Sequence, residues 1–578
     1  DHRDLHSFPT RRSSDLIACT VSAYTLICRA NGGPVTLAAA GQFTVAVSVN
    51  TSGIPILVNP RSGGTCRVDP NNVISEPLEN NNTCNSDTVA VGQTSLTVAI
   101  HDAGHTPIVQ APVGAMIHAT ITVTGVGATP TGATHLYRYN NSACSGSPTN
   151  TNNQNLVNGA VESASFAATS FYYRVLYSGD STHEAVYSPC TQFKAYQTGP
   201  TFTVNTPADD DNTVDGFLCS DIHCTLREAI LAANAATGAN TISFAIGSGQ
   251  TITLAAAPPA INDASGELTI DGEAYAVTVS GNDQYRLFTV NGNTRATLAN
   301  LTLVHGNYTG GDCGLRSCGG TLKVEAGAAV TLTHSTILSS TATGSGGGIY
   351  NAGTLIIQQS TVAGSSADEG GGILNNGGTL LARQSTLTGN TALYGGGILV
   401  VGGTVTLENS TLSGNTATGV ADSGGGGAID LYGGAGVIRS STIVSNTAVS
   451  PNQAKSSLWL ENGTLSLHNS IVANNNGANN FYRTGGTFTS QGYNLANAWN
   501  GLSGQSTDLT GDPKLGPLAD NGGATLTHML LTGSPAIDGG DPAGCPAADQ
   551  RDIARPQGLR CDIGAVEGTA SLSITKSV

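Results

Sequence analysis

The feature that most constrains this chain is a repeat between residues 335 and 470. Ser-Thr-apolar triplets begin at residues 335, 360, 385, 410 and 441, and a weaker Ser-Ile-Val copy begins at 470. The steps are 25, 25, 25, 31 and 29 residues, and each of the first four carries a run of glycines followed by isoleucine. A recurring period of this size indicates stacked supersecondary units.

The composition of each unit selects strands over helices. Apolar residues fall at every second position among Gly, Thr, Ser and Asn, which is a β alternation and excludes a helical repeat. Each unit therefore predicts one coil of three short strands and three turns, with glycines where the backbone needs positive φ or close approach. Stacked coils predict an all-β parallel β-helix with two interior columns. These columns are Leu355, Leu380, Val405, Gly436 and Leu465, and Ile357, Ala382, Leu407, Ile438 and Leu467.

Charge and cysteine content limit the partners and the cellular compartment expected for the protein. The net charge is -16 and only 11% of the 578 residues are charged, which argues against a nucleic-acid partner and for a secreted or wall-exposed protein. No apolar run reaches the roughly 18 residues of a membrane span. The twelve cysteines form six near-neighbour pairs, which favours an oxidising, extracellular compartment. The disulfide candidates are Cys19, Cys28, Cys66, Cys84, Cys144, Cys190, Cys219, Cys224, Cys313, Cys318, Cys545 and Cys561.

Composition shifts divide the chain into modules. Residues 1–16 resemble a translated sequencing adapter and are not expected to be native, and residues 571–578 resemble the opening strand of another bacterial surface repeat. Both ends look cut, so a fragment is expected. The modules between them are a β-sandwich (17–104), a second β-sandwich (105–197), a cap with a short helix (198–240), the β-helix (241–511), a closing region (512–568) and the start of a further repeat (569–578).

The first module alternates apolar and polar residues in short runs, as at 43–49 and 94–100, which indicates a β-sandwich. The stretches 66–76 and 80–84 resemble the cell-adhesion-related domain found in bacteria. Asp69, Glu76 and Glu79 could bind Ca²⁺ through oxygen ligands. The simpler interpretation is a solvated acidic loop closed by Cys66 and Cys84.

The second module contains Tyr177-Ser178-Gly179-Asp180 after the strand-like stretch 117–123. Together with residues 171–176, this turn resembles a bacterial immunoglobulin-like repeat, and the resemblance implies a bridge between Cys144 and Cys190. Tyr172, Tyr173 and Tyr177 could stack on sugars. Alternating tyrosines on a strand are more often half-buried packing residues.

The third module holds the most specific local motif, Cys219 to Ile230. Thr225 and Glu228 form a capping box and predict a helix from Leu226 to Ala235 with Leu226, Ile230 and Leu231 facing inward. The motif resembles the family named after Cys-Ser-Leu-Arg-Glu-Ala, with Thr225 in place of serine. That resemblance implies the amino-terminal cap of a right-handed parallel β-helix on secreted or surface bacterial proteins. Cys219, Cys224 and His223 could share a zinc ion, although a local disulfide suits an isolated pair better.

The coils begin at residues 241–303, followed by a small loop that Cys313 and Cys318 are expected to staple. The glycine-isoleucine pieces of the later coils also resemble the repeats of polymorphic outer-membrane proteins, which are adhesins. The Phe-x-x-Asn motif that accompanies these repeats in that group is missing, so the resemblance supports a similar shape more than a similar function.

Residues 512–568 break the pattern with charge and proline, and they resemble the choice-of-anchor Q region that closes β-helices of surface proteins. Asp552 stands where glycine usually follows the Asp-Gln-Arg triplet. The carboxylates could hold Ca²⁺, or the arginines could make an ion-paired cap, which is the favoured interpretation. The calcium candidates are Asp538, Asp541, Asp549 and Asp562, and the arginines are Arg551, Arg555 and Arg560.

An enzymatic role is weighed against a structural one, because many parallel β-helices cleave acidic polysaccharides. Such sites need carboxylates that converge on one face. The outward column Gln358, Arg383, Glu408, Arg439 and His468 instead predicts mutual charge pairing on a solvated face. Asp368, Glu369, Asp422 and Asp430 lie at different coil positions and could meet only if the 31-residue coil folds back.

The function expected from sequence is therefore a non-catalytic structural or adhesin-like protein of the cell surface. It is expected to be a monomeric rod of nine or ten coils, about 45 Å long, that binds carbohydrate or a neighbouring surface. No catalytic residue, cofactor or nucleic-acid site is expected, with Ca²⁺ as the one possible ion. The alternative is a polysaccharide lyase or glycoside hydrolase of the β-helix type.

Overall fold

The structure is a computed structural model, and it describes residues 17–22, 25–30, 56–59, 87–90, 94–210, 219–273, 276–313, 317–419, 425–449, 456–475 and 479–568. By its internal contacts the chain forms two compact units. The first comprises residues 1–109, 115–167 and 171–193, and the second comprises residues 110–114, 168–170 and 194–578. The expected strand at 43–49 lies outside the described residues.

The amino-terminal part is built from antiparallel hairpins and two sandwich-like sheets. Two hairpins pair Ile17–Ser22 with Thr25–Ala30 and Ile56–Asn59 with Asp87–Ala90. The larger sheet has the order Asn150–Asn155, Ala133–Tyr139, Phe171–Tyr177, Thr191–Tyr196 and Gln110–Pro112, with Val186–Tyr187 beside Phe171–Tyr177. The smaller sheet has the order Ala160–Glu162, Met116–Thr124, Ser95–Asp102 and Pro107–Ile108, with Phe166–Ala167 beside Met116–Thr124.

The smaller sheet runs across residue 104, where the sequence suggested a change of module, because Ser95–Asp102 pairs with Met116–Thr124. Val123 of this sheet and Tyr177 of the larger one share a buried apolar cluster. The turn after Tyr177 is organised by Asp180, whose carboxylate accepts hydrogen bonds from the backbone N–H groups of Thr131, Thr182 and His183. These bonds hold the pKa of Asp180 well below its usual range.

The second unit is a parallel β-solenoid of about nine turns. Its largest sheet, the wide sheet, has 17 strands in the described residues. They are Thr201–Val204, Asn240–Phe244, Glu267–Asp271, Phe288–Val290, Arg295–Ala299, Leu322–Val324, Ala329–Thr333, Ile349–Asn351, Thr354–Gln358, Ile373–Arg383, Ile398–Glu408, Gly426–Leu431, Ala435–Arg439, Ser456–Leu460, Thr464–His468, Asn479–Arg483 and Thr487–Ser490.

A second parallel stack, the narrow sheet, forms another side of the solenoid. Its 11 strands are Thr251–Thr253, Thr278–Ser280, Thr302–Val304, Thr336–Leu338, Thr361–Ala363, Thr386–Thr388, Thr411–Ser413, Thr442–Val444, Ile471–Ala473, Leu495–Ala496 and Leu509–Thr510. Two-residue strands add a third side, namely Asn307–Tyr308 with Thr341–Ala342, and Thr391–Ala392, Thr416–Ala417 and Thr447–Ala448.

Both predicted interior columns are confirmed. Successive members are register partners, from Leu355 with Leu380 to Gly436 with Leu465, and from Ile357 with Ala382 to Ile438 with Leu467. The apolar members are at most 3% exposed. They belong to one apolar core that runs from Phe202 to Ala496, so coil stacking buries the hydrophobic surface that a single coil could not bury alone.

The strands differ from prediction in one respect. Two expected strands of a coil merge into single eleven-residue strands at Ile373–Arg383 and Ile398–Glu408, with a register irregularity between Asn375 and Thr379. The glycine runs do serve the predicted turns. Gly346 has φ of 67°, and a Cβ on Gly347 would lie 2.4 Å from the carbonyl oxygen of Gly371, so only glycine fits.

The serine of each triplet links neighbouring coils. The backbone N–H of each serine donates to the side-chain oxygen of the next, at 3.0–3.3 Å from Ser335 to Ser470. Each of these hydroxyls from Ser335 to Ser441 donates to the carbonyl two residues before it, at 2.6–2.9 Å. The serine ladder therefore provides acceptors for buried backbone N–H groups at a corner of the coil, where the chain is between strands and lacks the usual strand-to-strand hydrogen bonds.

An asparagine ladder runs parallel to the serine ladder. The side-chain oxygens of Asn415, Asn446 and Asn475 accept the backbone N–H of the asparagine one coil earlier, at 2.9–3.1 Å. The amide groups of Asn390, Asn415 and Asn446 each donate to a carbonyl of the preceding coil at 3.0 Å. These three side chains are fully buried, although the sequence alone would place asparagines in solvated turns.

A ten-residue α-helix, Leu226–Ala235, precedes the coils as predicted. Thr225 accepts from the N–H of Glu228, whose carboxylate accepts from the N–H of Thr225, so the capping box is confirmed. Leu226 and Ile230 are buried against the core, but Leu231 is 40% exposed. The inward assignment of Leu231 was wrong, because Ala229 and Ala233 complete the buried face instead. No helix in the described part of the chain is both long and apolar enough to cross a membrane.

The carboxy-terminal segment contains the antiparallel pair Leu515–Ala519 and Thr527–Leu530. It packs against the flank of the solenoid, and a cluster including Ile471, Leu530 and Ile563 is buried between them. The segment also contacts a column of corner residues with left-handed backbone, each just before a ladder serine. Side chains of this column donate to acceptors of the segment: Gln359 to Asp552, Gln384 to Asp549 and Asp552, Asn409 to Ala548, and Asn469 to Asp562.

Asp552 has φ of 65°, a conformation that glycine adopts freely. Its carboxylate accepts from both Gln359 and Gln384. These two contacts give a physical reason for an aspartate at a turn where glycine would be the simpler choice.

Candidate functional site

An outward-facing column on the wide sheet changes character in the irregular 31-residue coil. Leu374 pairs in register with Leu399, Leu399 with Asp430, Asp430 with Trp459, and Trp459 with Tyr482. Asp430 is 2% exposed and Trp459 is 4% exposed. The rings of Trp459 and Tyr482 lie 4.5 Å apart between centroids. An acid therefore lies in an apolar column beside a pair of aromatic rings tilted 42° to each other.

The environment of Asp430 disfavours its charged form. Burial, followed by repulsion from Glu461, raises the pKa of Asp430 to about 8. Within the described residues, its Oδ1 has no hydrogen-bond partner, and neither do the indole nitrogen of Trp459 and the hydroxyls of Ser456 and Ser457 on the adjacent strand. Asp430 is therefore protonated at neutral pH, which is the state of a general acid.

The chemistry open to this group is limited by access. A protonated carboxyl can donate to a glycosidic oxygen only if it touches the sugar, and the 2% exposure of Asp430 keeps it from doing so. The sequence singled out Asp430 but missed Trp459 and Glu461. Aligning successive coils could have identified both residues. Trp459 occupies the position of Asp430 in the next coil, and Glu461 lies two residues after Trp459.

The other turn acids do not join Asp430 to form a ligand-like cluster. Asp368 is exposed, and the carboxylate of Glu369 accepts from Ser345 at 3.0 Å. Asp422 lies outside the described residues. Among the residues that the structure describes, no three of these acids have carboxylate oxygens within 4.8 Å of one another.

The predicted charge column stands in register from Gln358 to His468. Arg383 and Glu408 pair at 3.1 Å with side chains 52% and 30% exposed, which is the surface pairing that the sequence suggested. His468 turns instead to Asp541 of the carboxy-terminal segment, at 3.0 Å. Part of the column is therefore a solvent-exposed ion pair, and its last residue, His468, contacts the carboxy-terminal segment.

The four carboxy-terminal calcium candidates have separate partners. Asp549 accepts two hydrogen bonds from the Arg551 guanidinium at 2.7 and 3.0 Å, and Asp541 accepts from His468. Asp562 accepts from the N–H of Asp538 at 2.7 Å, and the Asp538 carboxylate accepts from the N–H of Arg560 at 3.1 Å. Burial raises the pKa of Asp562 to about 6. These contacts support the ion-paired interpretation, with Arg551 as the main cation.

Arg555 completes this buried network. Its guanidinium donates to the carbonyls of Asp562 and Gly564 at 3.0 and 2.7 Å, and its Nε lies 3.6 Å from the carboxylate of Glu567. The arginine therefore ties together backbone that would otherwise carry unsatisfied carbonyls. In the described part of the chain, Arg560 takes part through its backbone N–H, which donates to the Asp538 carboxylate.

Four disulfides are present in the described residues: Cys144–Cys190, Cys219–Cys224, Cys313–Cys318 and Cys545–Cys561. The Cys219–Cys224 bond leaves no thiolates for the zinc site considered with His223. For Cys19 and Cys28 the structure gives the backbone register, in which they are direct cross-strand partners. Cys66 and Cys84, with the acidic loop at Asp69, Glu76 and Glu79, lie outside the described residues.

Two of the tyrosines considered for sugar stacking are interior. Tyr173 is 7% exposed, and Tyr177 is fully buried with its hydroxyl donating to the carbonyl of Thr131 at 2.6 Å. Burial and the Asp180 carboxylate raise the pKa of Tyr177 to about 12. Both side chains are therefore packing residues and Tyr177 also holds the turn, while Tyr172 is half-buried.

No protein-family model, no curated protein and no solved structure matches the chain. The fold and the contacts described above are therefore the basis for assigning a function.

Proposed function

We propose that this protein is a non-catalytic scaffold displayed outside the cell, in which the β-solenoid is a rigid rod that presents its surface to carbohydrate or to neighbouring cells. The observation that carries the proposal is the continuity of the buried ladders. Serine, asparagine and apolar columns each extend coil after coil, and the carboxy-terminal segment fixes their flank. Such a stack resists local opening.

The setting outside the cell rests on the disulfides. Four cystines in the described residues suit an oxidising compartment. The resemblances seen in the sequence are consistent with this setting: a cap like that of the family named after Cys-Ser-Leu-Arg-Glu-Ala, a choice-of-anchor Q type segment, and cell-adhesion-related and immunoglobulin-like modules. We propose the module boundaries given above on the same grounds, except the one at residue 104, which the smaller sheet crosses, with a monomer as the working unit.

A second candidate function is cleavage of an acidic polysaccharide. The specific observation in its favour is Asp430, an acid with pKa raised to about 8 beside Glu461 and the aromatic pair of Trp459 and Tyr482. A proton donor near a second carboxylate is the arrangement that glycoside hydrolases use. The burial of Asp430 places this candidate second.

The two candidates are separated by an activity panel. The whole chain is incubated with pectins, alginates and glycosaminoglycans, and unsaturated products and new reducing ends are measured. The scaffold proposal predicts neither product, together with retention of selected glycans on an array, tested with and without Ca²⁺. Products that the wild type forms and Asp430→Asn does not form would overturn it in favour of the enzyme. Absence of both products and glycan retention would leave a rod without a carbohydrate ligand and would contradict that part of the proposal.

A further inference from the structure

Three side chains from separate elements meet on the outer face of the smaller sandwich sheet. His118 lies on Met116–Thr124, Glu162 ends Ala160–Glu162, and His105 lies in the turn after Ser95–Asp102. Their ligand atoms all lie within 4.8 Å of one another. The Glu162 Oε1 is 3.3 Å from the His105 Nδ1 and 3.9 Å from the His118 Nε2.

His118 is the unusual member of this group. Its strand alternates, with Ile117, Ala119 and Ile121 facing the core, so His118 belongs to the solvent side. It is nevertheless only 5% exposed, and the ring of His105 packs edge-on against it with centroids 4.7 Å apart. Its Nε2 is buried and has no hydrogen-bond partner among the residues that the structure describes, and it lies near the Glu162 carboxylate at a distance too long for a hydrogen bond.

The backbone holds the other two ligands in place. The Asp102 carboxylate accepts from the N–H groups of Gly104 and Thr106 at 2.9 Å, and His105 adopts a left-handed φ of 60° within this turn. Beside Glu162, Ser163 exchanges two hydrogen bonds with Ala119, at 2.8 and 2.9 Å. The backbone that carries His105 and Glu162 is therefore held in place before any ion binds, which lowers the entropic cost of binding.

We propose that His105, His118 and Glu162 bind a divalent transition-metal cation of the zinc type. Two imidazoles and one carboxylate are the ligands that Zn²⁺ takes, with a fourth position for solvent, whereas Ca²⁺ and Mg²⁺ prefer oxygen ligands alone. Tetrahedral zinc with bonds of about 2.0–2.1 Å places its ligand atoms about 3.4 Å apart. The distances from Glu162 to the two imidazoles, 3.3 and 3.9 Å, are close to this value, and the two histidine ligand atoms, within 4.8 Å of each other, would move together around the ion.

His101 supports the site without being a ligand. It is the cross-strand partner of His118, and its Nδ1 is already bonded to the Thr120 hydroxyl at 2.7 Å. Its ring lies 5.6 Å from that of His118 between centroids and helps to cover it. The bound ion would join the 102–106 turn to two strands of the sheet, which is a structural role suited to a spacer module.

Calorimetric titration with ZnCl₂ tests the proposal on the whole chain, after removal of any affinity tag and treatment with EDTA. One high-affinity Zn²⁺ per chain is expected. His105→Ala and Glu162→Gln should each weaken it about tenfold or more. These two side chains are 63% and 51% exposed, so the fold does not depend on them, and circular dichroism checks this.

The matched control is His135→Ala, an imidazole on the larger sheet that is bonded to Asn153. It should leave zinc affinity unchanged. Co²⁺ should give the visible bands of a low-coordinate site in the wild type and lose them in His105→Ala. The proposal is overturned if zinc does not bind, if His105→Ala and Glu162→Gln bind it as tightly as the wild type, or if excess Ca²⁺ displaces it.

Discussion

Asp430 makes the stability of the solenoid depend on pH in a direction opposite to that of most acids. Its pKa is raised from 3.8 to about 8 in the folded state, so between these values the folded protein keeps a proton that the unfolded chain has lost. Stability should therefore fall as pH rises from about 4 to about 8, and level off above. At about 1.4 kcal/mol for each pH unit, the loss is on the order of 5 kcal/mol. Asp430→Asn carries no such charge and should remove this dependence.

The coil offers its own probe, since the two tryptophans of the chain, Trp459 and Trp499, both lie in the last coils, and Trp459 is the register partner of Asp430. Urea unfolding followed by tryptophan fluorescence from pH 5 to pH 9 gives the difference in stability between wild type and Asp430→Asn. The difference should grow in favour of the variant with rising pH. Asp368→Asn, at an exposed acid two coils before that of Asp430, should follow the wild type. Parallel curves for wild type and Asp430→Asn would refute the reasoning.

Two further predictions concern the ladders and the carboxy-terminal segment. Ser385→Ala removes the acceptor of the buried Ser360 N–H and should cost about 1–3 kcal/mol of unfolding free energy; a variant as stable as the wild type in urea would show that the ladder adds little. Arg551→Ala removes the ion-pair partner of the fully buried Asp549 carboxylate and should cost about 3–5 kcal/mol. Arg383→Ala, which removes an exposed ion pair, should cost about 0–1 kcal/mol in the same assay, and equal losses for the two would contradict the distinction.

The fold could be predicted from sequence where the signal was local and repeated. The 25-residue period fixed the register of both interior columns, because each copy carries the same alternation. The capping box located the helix to the residue. Leu231 was misplaced because an amphipathic pattern rich in alanine leaves the buried face ambiguous. The fused strand Ile373–Arg383 could not be anticipated, since the bend between two strands depends on how adjacent coils pair.

The site was less accessible to sequence reasoning, because its members meet through long-range contacts. Asp430 could be named as a turn acid, but its burial depends on its neighbours in the column. The buried position of Asn415 escaped notice, since asparagine in a turn is usually solvated. His105, His118 and Glu162 belong to no motif and come together only through strand pairing.

The serine ladder has a direction, and this bears on how such a protein changes in evolution. The serine hydroxyl of each coil accepts a hydrogen bond from the serine N–H of the coil before it. At the end of the ladder the N–H of Ser470 donates to the side-chain oxygen of Asn494 instead of to another serine. A whole coil can therefore be duplicated or deleted without leaving an unmatched donor, whereas part of a coil cannot. The length of the rod is therefore expected to change in evolution by whole coils. Insertions within a coil are expected between Ala417 and Gly426, where the extra residues of the 31-residue coil lie.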